Sequence, residues 1–176
     1  MHIEVHQFVK RVRRELYWKF RLRKVLEVGS HNINGSPRKY FWFCDYTGVD
    51  ISKGKGVDVV MDFAKEHKRE HFGVYDVVIS TEMLEHCKHW EYALQNMYMA
   101  LKVGGLLLVT CASIDRLEHG TKRTTPYCSP DTTDYYGNIS KEDFKKVLPP
   151  NLFSQYVLMN GRDKQDLYFY GLKNKQ

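Results

Sequence analysis

Two apolar runs that each end in an acid constrain the fold of this chain more than any other feature. The first is Val25-Leu26-Glu27-Val28-Gly29, followed by the polar loop Ser30-His31-Asn32-Ile33-Asn34-Gly35, and the second closes on Val49-Asp50. Glu27 and Asp50 lie 23 positions apart, about the length of one strand–helix–strand unit, so both should emerge at one edge of a parallel sheet. Ligands of open α/β sheets bind at that edge, beyond the carboxyl ends of the strands. The spacing predicts a nucleoside-binding crevice there.

The alternation continues. Strands are expected at 25–28, 46–51, 74–80 and 106–111, with a short one inside 57–61. Helical or mixed segments at 36–43, 63–72 and 90–101 lie between them. Strands alternating with helices indicate a parallel sheet covered on both faces. The helix 90–101 is expected to stop at Lys102-Val103-Gly104-Gly105 and lead into the next strand. Ser140 caps a further helix, with Asp143 three residues on. Two β-rich runs, 153–159 and 166–172, flank a turn over 160–165 and read as an antiparallel hairpin. The fold expected is therefore α/β: a doubly wound, mostly parallel sheet in three α/β/α layers, closed by that hairpin. All 176 residues fit one domain.

With 43% hydrophobic and 27% charged residues the composition is that of a soluble globular protein. No apolar run approaches the roughly 18 residues of a membrane span. The first residues lack the basic-then-apolar pattern of a secretory signal. Cys44, Cys87, Cys111 and Cys128 are scattered singly, the pattern of free thiols in a reducing compartment, and a cytoplasmic location is expected.

The net charge of +6 sits in one place. Residues 1–24 carry eight Lys/Arg against Glu4 and Glu15, while the other 152 residues carry 19 of each sign. Val5, Phe8, Val9, Val12 and Leu16 recur there at helical spacing, which predicts a basic amphipathic helix over 1–24. Its charged side is either a solvated face or a phosphate-contacting or partner-docking one, a nucleic acid being the partner that residues 10–24 would meet.

Between Ala112 and Ile139 no period is visible, and the 28 residues include Asp115, Arg116, His119, Lys122, Arg123, Tyr127, Asp131, Asp134, Tyr135 and Tyr136. A patternless stretch that long in a compact domain is usually functional. The segment 112–139 is read as a loop that covers the substrate.

At the strand ends the chemistry is specific. The loop after Gly29 lacks the middle glycine of G-x-G-x-x-G, so it is not shaped to press on a pyrophosphate. Asp50 ends its strand where a carboxylate can accept both hydroxyls of a ribose, with Ile51 beside it. Asp62 can accept from an adenine amino group with Phe63 or its backbone facing the ring; equally, it can cap the helix that follows. Thr81 and Glu82 project from the end of the fourth strand, with Glu85 and His86 just beyond. His86 and His89 lie three apart beside Glu85, but neither H-x-x-x-H nor paired cysteines accompany them, and no metal is expected.

These residues carry a resemblance. The span 25–111 is similar to the core of class I S-adenosylmethionine-dependent methyltransferases. Glu27-Val28-Gly29 resembles the family's first motif, whose loop, here Ser30, His31, Asn34 and Gly35, wraps the methionine part of the cofactor. Asp50 matches the ribose-binding acid and Asp62 the acid that meets adenine. Leu84-Glu85-His86 and Leu101-Lys102-Val103-Gly104-Gly105 resemble segments of the family's small-molecule branch. The chain departs from the commonest pattern in having Ser30-His31-Asn32 where G-x-G is usual.

The resemblance implies S-adenosylmethionine as methyl donor, S-adenosylhomocysteine as product, and a small-molecule acceptor. An acceptor that must shed a proton needs a base, and His86 and His119 are the candidates because imidazole titrates near neutral pH. The Asn/Asp-Pro-Pro-Tyr/Phe tetrapeptide associated with methylating planar amines is absent after strand four. A nucleic-acid methyltransferase anchored by the basic helix, a catalytically silent cofactor-binding partner, and a nicotinamide oxidoreductase are the competing readings.

Overall fold

The computed structural model describes residues 1–66, 69–161 and 163–175. Among them run α1 (Ile3–Glu15), β1 (Lys24–Val28), β2 (Asp45–Asp50), β3 (Val59–Val60), β4 (Tyr75–Thr81), α2 (Trp90–Ala100), β5 (Leu101–Ala112), α3 (Lys141–Val147), β6 (Phe153–Asn160) and β7 (Asp166–Lys173). The strands form one seven-stranded sheet in the order β3-β2-β1-β4-β5-β7-β6. β3 to β5 pair in parallel, and β7 runs antiparallel between β5 and β6. The chain reverses direction across the sheet between β1 and β4, the switch point where a crevice opens at the strands' carboxyl ends.

Strand alternation divides the core into two layers. Val25, Val77, Ile79, Leu106, Leu108, Tyr168 and Tyr170 pack against Val5, Phe8, Val9, Val12 and Leu16 of the first helical segment. Leu26, Val28, Val78, Leu107, Val109, Leu167 and Phe169 pack against α2 and α3 through Leu94, Met97 and Phe144. Burying such side chains is worth roughly 1.5–3 kcal/mol each, which holds α1 to the sheet despite its charge. Ser140 caps α3, its hydroxyl accepting from the Asp143 amide at 3.0 Å. No helix among the described residues is long and apolar enough to cross a membrane.

The structure corrects four expectations. The basic helix stops at Glu15 instead of running to 24; a 3-10 turn (Tyr17–Lys19) follows, and Lys24 already belongs to β1. The cause is Phe20, which leaves the helical line to stack on Phe41, ring centroids 4.6 Å apart. The segment 36–43 forms only a 3-10 turn (Pro37–Tyr40), because Tyr40 and Phe41 turn into the same core. Between Asp62 and Phe72 the only regular element among the described residues is the 3-10 turn Arg69–His71; His67 and Lys68 lie outside them. Lys102–Gly105 is an excursion within β5, since Leu101 already pairs with Tyr75 and Leu106 with Val77. Gly104, at φ +72°, permits that detour. The hairpin forms as expected, though Arg162 of its turn lies outside the described residues.

Candidate active site

The carboxyl ends of β1, β2 and β4 open into a cavity of about 620 Å³, well within the range of small-ligand pockets. Thirteen of the expected site residues line it: Glu27, Gly29, His31, Asn34, Gly35, Asp50, Ile51, Asp62, Phe63, Thr81, Glu82, His86 and His119. Ser30 does not. It is buried, and its hydroxyl sits against Gly48, where an added Cβ would lie 2.7 Å from it.

The turn after β1 follows from its hydrogen bonds. The amides of Gly29 and Ser30 both reach the Val49 carbonyl, at 3.0 and 3.1 Å, and draw the loop over the end of β2. Gly29 stands at φ +81°, and a Cβ there would meet Met83 Cγ at 2.5 Å. Only glycine combines that backbone with that neighbour. The His31 amide donates to Asp50 Oδ2 at 2.9 Å, fixing the carboxylate and leaving its other oxygen free among the described residues.

Glu27 is 2% exposed and accepts from the Tyr46 hydroxyl at 2.9 Å. Burial pushes its carboxyl up to about 7, against the opposing pull of Tyr46 and Arg38. Asp62 combines two roles: its Oδ1 accepts from the Ala64 amide at 3.1 Å, and Lys65 pairs with Oδ2 at 2.9 Å. The Phe63 ring is buried in the core with its carbonyl bound by Asn96, so it is the backbone at 62–63 that can face a ring in the cavity.

Glu82 closes β4 in a left-handed conformation (φ +56°). Thr110 donates to its carboxylate at 2.9 Å and His2 lies at 3.1 Å, 3.5 Å from Asp166. Hydrogen bonding to Asp166, then to Glu82, holds the His2 imidazole up at about 10. Arg116 also pairs with Asp166, at 2.9 Å. His2, Met83 and Arg116 line the cavity but carried no pattern in the sequence, because they come from a helix start, a strand exit and the long loop.

His86 and His119 meet edge to face, centroids 5.2 Å apart, with Tyr136 against both. Burial, with His119 nearby, lowers the His86 imidazole to about 4. A group that weakly basic does not suit proton abstraction at neutral pH. Of the loop 112–139, Arg116 and His119 line the cavity. Asp131 reaches across to His31 at 3.1 Å and to Ser52, and Cys128 to Thr132 form part of the wall. Residues 10–24 contribute nothing to it.

The methyltransferase-domain family matches residues 2–145. The chain belongs to that family. Comparison with curated proteins gave no match. Among solved structures the methyltransferase resembles 1,6-didemethyltoxoflavin-N1-methyltransferase of Burkholderia thailandensis, at 13% identity and TM-score 0.65, over 96% of this chain and 77% of that one. It also resembles phosphoethanolamine N-methyltransferase 2 of Haemonchus contortus, at 17% identity and TM-score 0.67, over 97% of this chain and 53% of that one. A third likeness is to a SAM-dependent methyltransferase of Archaeoglobus fulgidus, at 16% identity and TM-score 0.62, over 96% and 94%. At these identities the likeness is one of fold.

Proposed function

We propose that the methyltransferase binds S-adenosylmethionine in this cavity and methylates a small-molecule acceptor. The observation that carries the reading is Asp50, held by the His31 amide with one carboxylate oxygen left over, beside the Gly29 turn and buried Glu27. The residues fit the cofactor: Asp50 would accept the ribose hydroxyls, Glu27 and the 29–35 loop would hold the amino-acid end, and residues 62–63 would face adenine. S-adenosylmethionine supplies an activated methyl group, so the protein's work is positioning and exclusion of water. Loop 112–139, latched through Asp131, supplies the cover.

A small acceptor is supported by that cover and by the basic segment's position. α1 leads away from the cavity, where His2 lies, and its 13 residues span about 20 Å at 1.5 Å per residue. The helix thus runs residues 10–15 progressively away from the cavity, and none of residues 10–24 lines it. The solved structures that the chain resembles include methyltransferases named for two small molecules, 1,6-didemethyltoxoflavin and phosphoethanolamine. Four free cysteines agree with a reducing, cytoplasmic setting.

Calorimetric titration with S-adenosylmethionine, S-adenosylhomocysteine and NAD tests the reading. Binding of both sulfur ligands without NAD is expected, followed by methyl transfer in a screen of small acceptors. Absence of sulfur-ligand binding would overturn it. Cofactor binding without turnover on any acceptor would favour a silent partner, and salt-sensitive polyanion binding a nucleic-acid target.

A further inference from the structure

Glu85 is fully buried at the foot of the cavity, and neither of its carboxylate oxygens has a hydrogen-bond partner among the described residues. The amides of Glu85 and Ala112 are near but do not reach hydrogen-bond geometry. A carboxyl group without partners in such a place is costly. Next to it His86 Nδ1 is also buried and unpartnered. One donor atom from each of Glu85, His86 and His119 lies within 4.8 Å of the others. Both histidines line the cavity, while Glu85 stands behind them.

We infer that Glu85, His86 and His119 form a binding site for a divalent first-row transition metal ion, open toward the cavity. Two imidazole nitrogens and one carboxylate oxygen suit Zn²⁺, Mn²⁺, Co²⁺ or Fe²⁺ better than Ca²⁺ or Mg²⁺, which prefer all-oxygen sites. Bond lengths of about 2.0–2.2 Å put tetrahedral donors roughly 3.3 Å apart, so the three side chains need close by at most about 1.5 Å. His119 keeps its ring in place through Nδ1 against the Leu117 carbonyl at 3.1 Å, which leaves Nε2 for an ion. The other mixed cluster, His2, Glu82 and Asp166, is different: its donors already bond to one another, to Arg116, Thr110 and Tyr168.

The sequence spoke against this site because Glu85, His86 and His89 come without H-x-x-x-H spacing or paired cysteines. Loop 112–139 brings His119 from 33 positions on. With three protein ligands, positions remain for an oxygen atom of a bound molecule. Resting on the methyl-transfer reading, this names the acceptor class: a compound that presents a hydroxyl oxygen to the ion.

The test is calorimetric titration of the EDTA-treated full chain with Zn²⁺ and Mn²⁺, and the visible spectrum of the chain with Co²⁺. One ion per chain is expected. His119→Ala, in an accessible loop, should weaken binding tenfold or more, and so should Glu85→Gln, with circular dichroism checking its fold. His89→Ala should leave metal affinity unchanged. Absence of binding, or equal affinity in His119→Ala and Glu85→Gln, would overturn the site. The same samples are titrated with S-adenosylhomocysteine. Cofactor binding without metal removes the metal site alone, and metal binding without cofactor removes the methyl-transfer reading alone.

Discussion

Cofactor affinity should rise with pH through neutrality, and the cause is a single carboxyl group. Glu27 is buried beside the Gly29 turn, where desolvation raises it from the ordinary 4.5 to about 7. Taking that value, about a tenth of the chains carry ionised Glu27 at pH 6 and about nine-tenths at pH 8. If only the ionised form accepts the cofactor's ammonium group, affinity grows about tenfold over that interval, or about 1.4 kcal/mol. S-adenosylhomocysteine is the ligand to use, because its amino group stays cationic over the range. The sign for stability is opposite. A carboxyl raised on folding stabilises the free protein fully below the unfolded value of 4.5 and loses that contribution as pH rises through about 7. The free chain should therefore lose stability over the range in which the complex gains. Calorimetry at three pH values reads the first effect, and melting with and without ligand reads the second. Glu27→Gln should give an affinity independent of pH. A flat or falling profile in the unaltered protein, or the same slope in Glu27→Gln, would refute the placement of the ammonium group.

Asp50→Ala should weaken S-adenosylhomocysteine binding by roughly 2–4 kcal/mol, about 30- to 1,000-fold, through the lost ribose bonds. A change under about threefold by calorimetry would put the ribose elsewhere. Gly29→Val should abolish binding, since its Cβ would displace Met83 in a backbone conformation (φ +81°) that valine resists; binding that survives would leave the turn a structural role only. Asp131→Ala should lower Tm by less than about 4 °C, as partly exposed ion pairs contribute about 1 kcal/mol or less. It should nonetheless speed proteolytic cleavage within 112–139; an unchanged digestion rate would mean that the His31 and Ser52 contacts do not hold the loop.

The sheet was legible because a parallel strand buried on both faces must be apolar throughout, and runs such as Val77-Val78-Ile79 and Leu106-Leu107-Leu108 have little other use. Gly29 and Asp50 were legible for a related reason: where a strand ends and a chain must turn, backbone geometry restricts the residue types. What stayed hidden depends on contacts between distant segments. Phe20 and Phe41 end a helix and suppress another by stacking on each other, and neither ring advertises its partner in sequence. Likewise His86, read as a base from its ordinary titration range, is made a weak one by burial and by His119, a neighbour only through the loop's path. Position at a strand end can be read from spacing; the protonation of a group placed there is decided by what folds over it. The loop that lines the cavity brings His119, Tyr136 and Asp131 to residues whose own spacing says nothing of them. A change in loop 112–139 away from Asp131 is therefore expected to alter which acceptors turn over in a screen, while affinity for S-adenosylhomocysteine, which we assign to Asp50, stays the same by calorimetry.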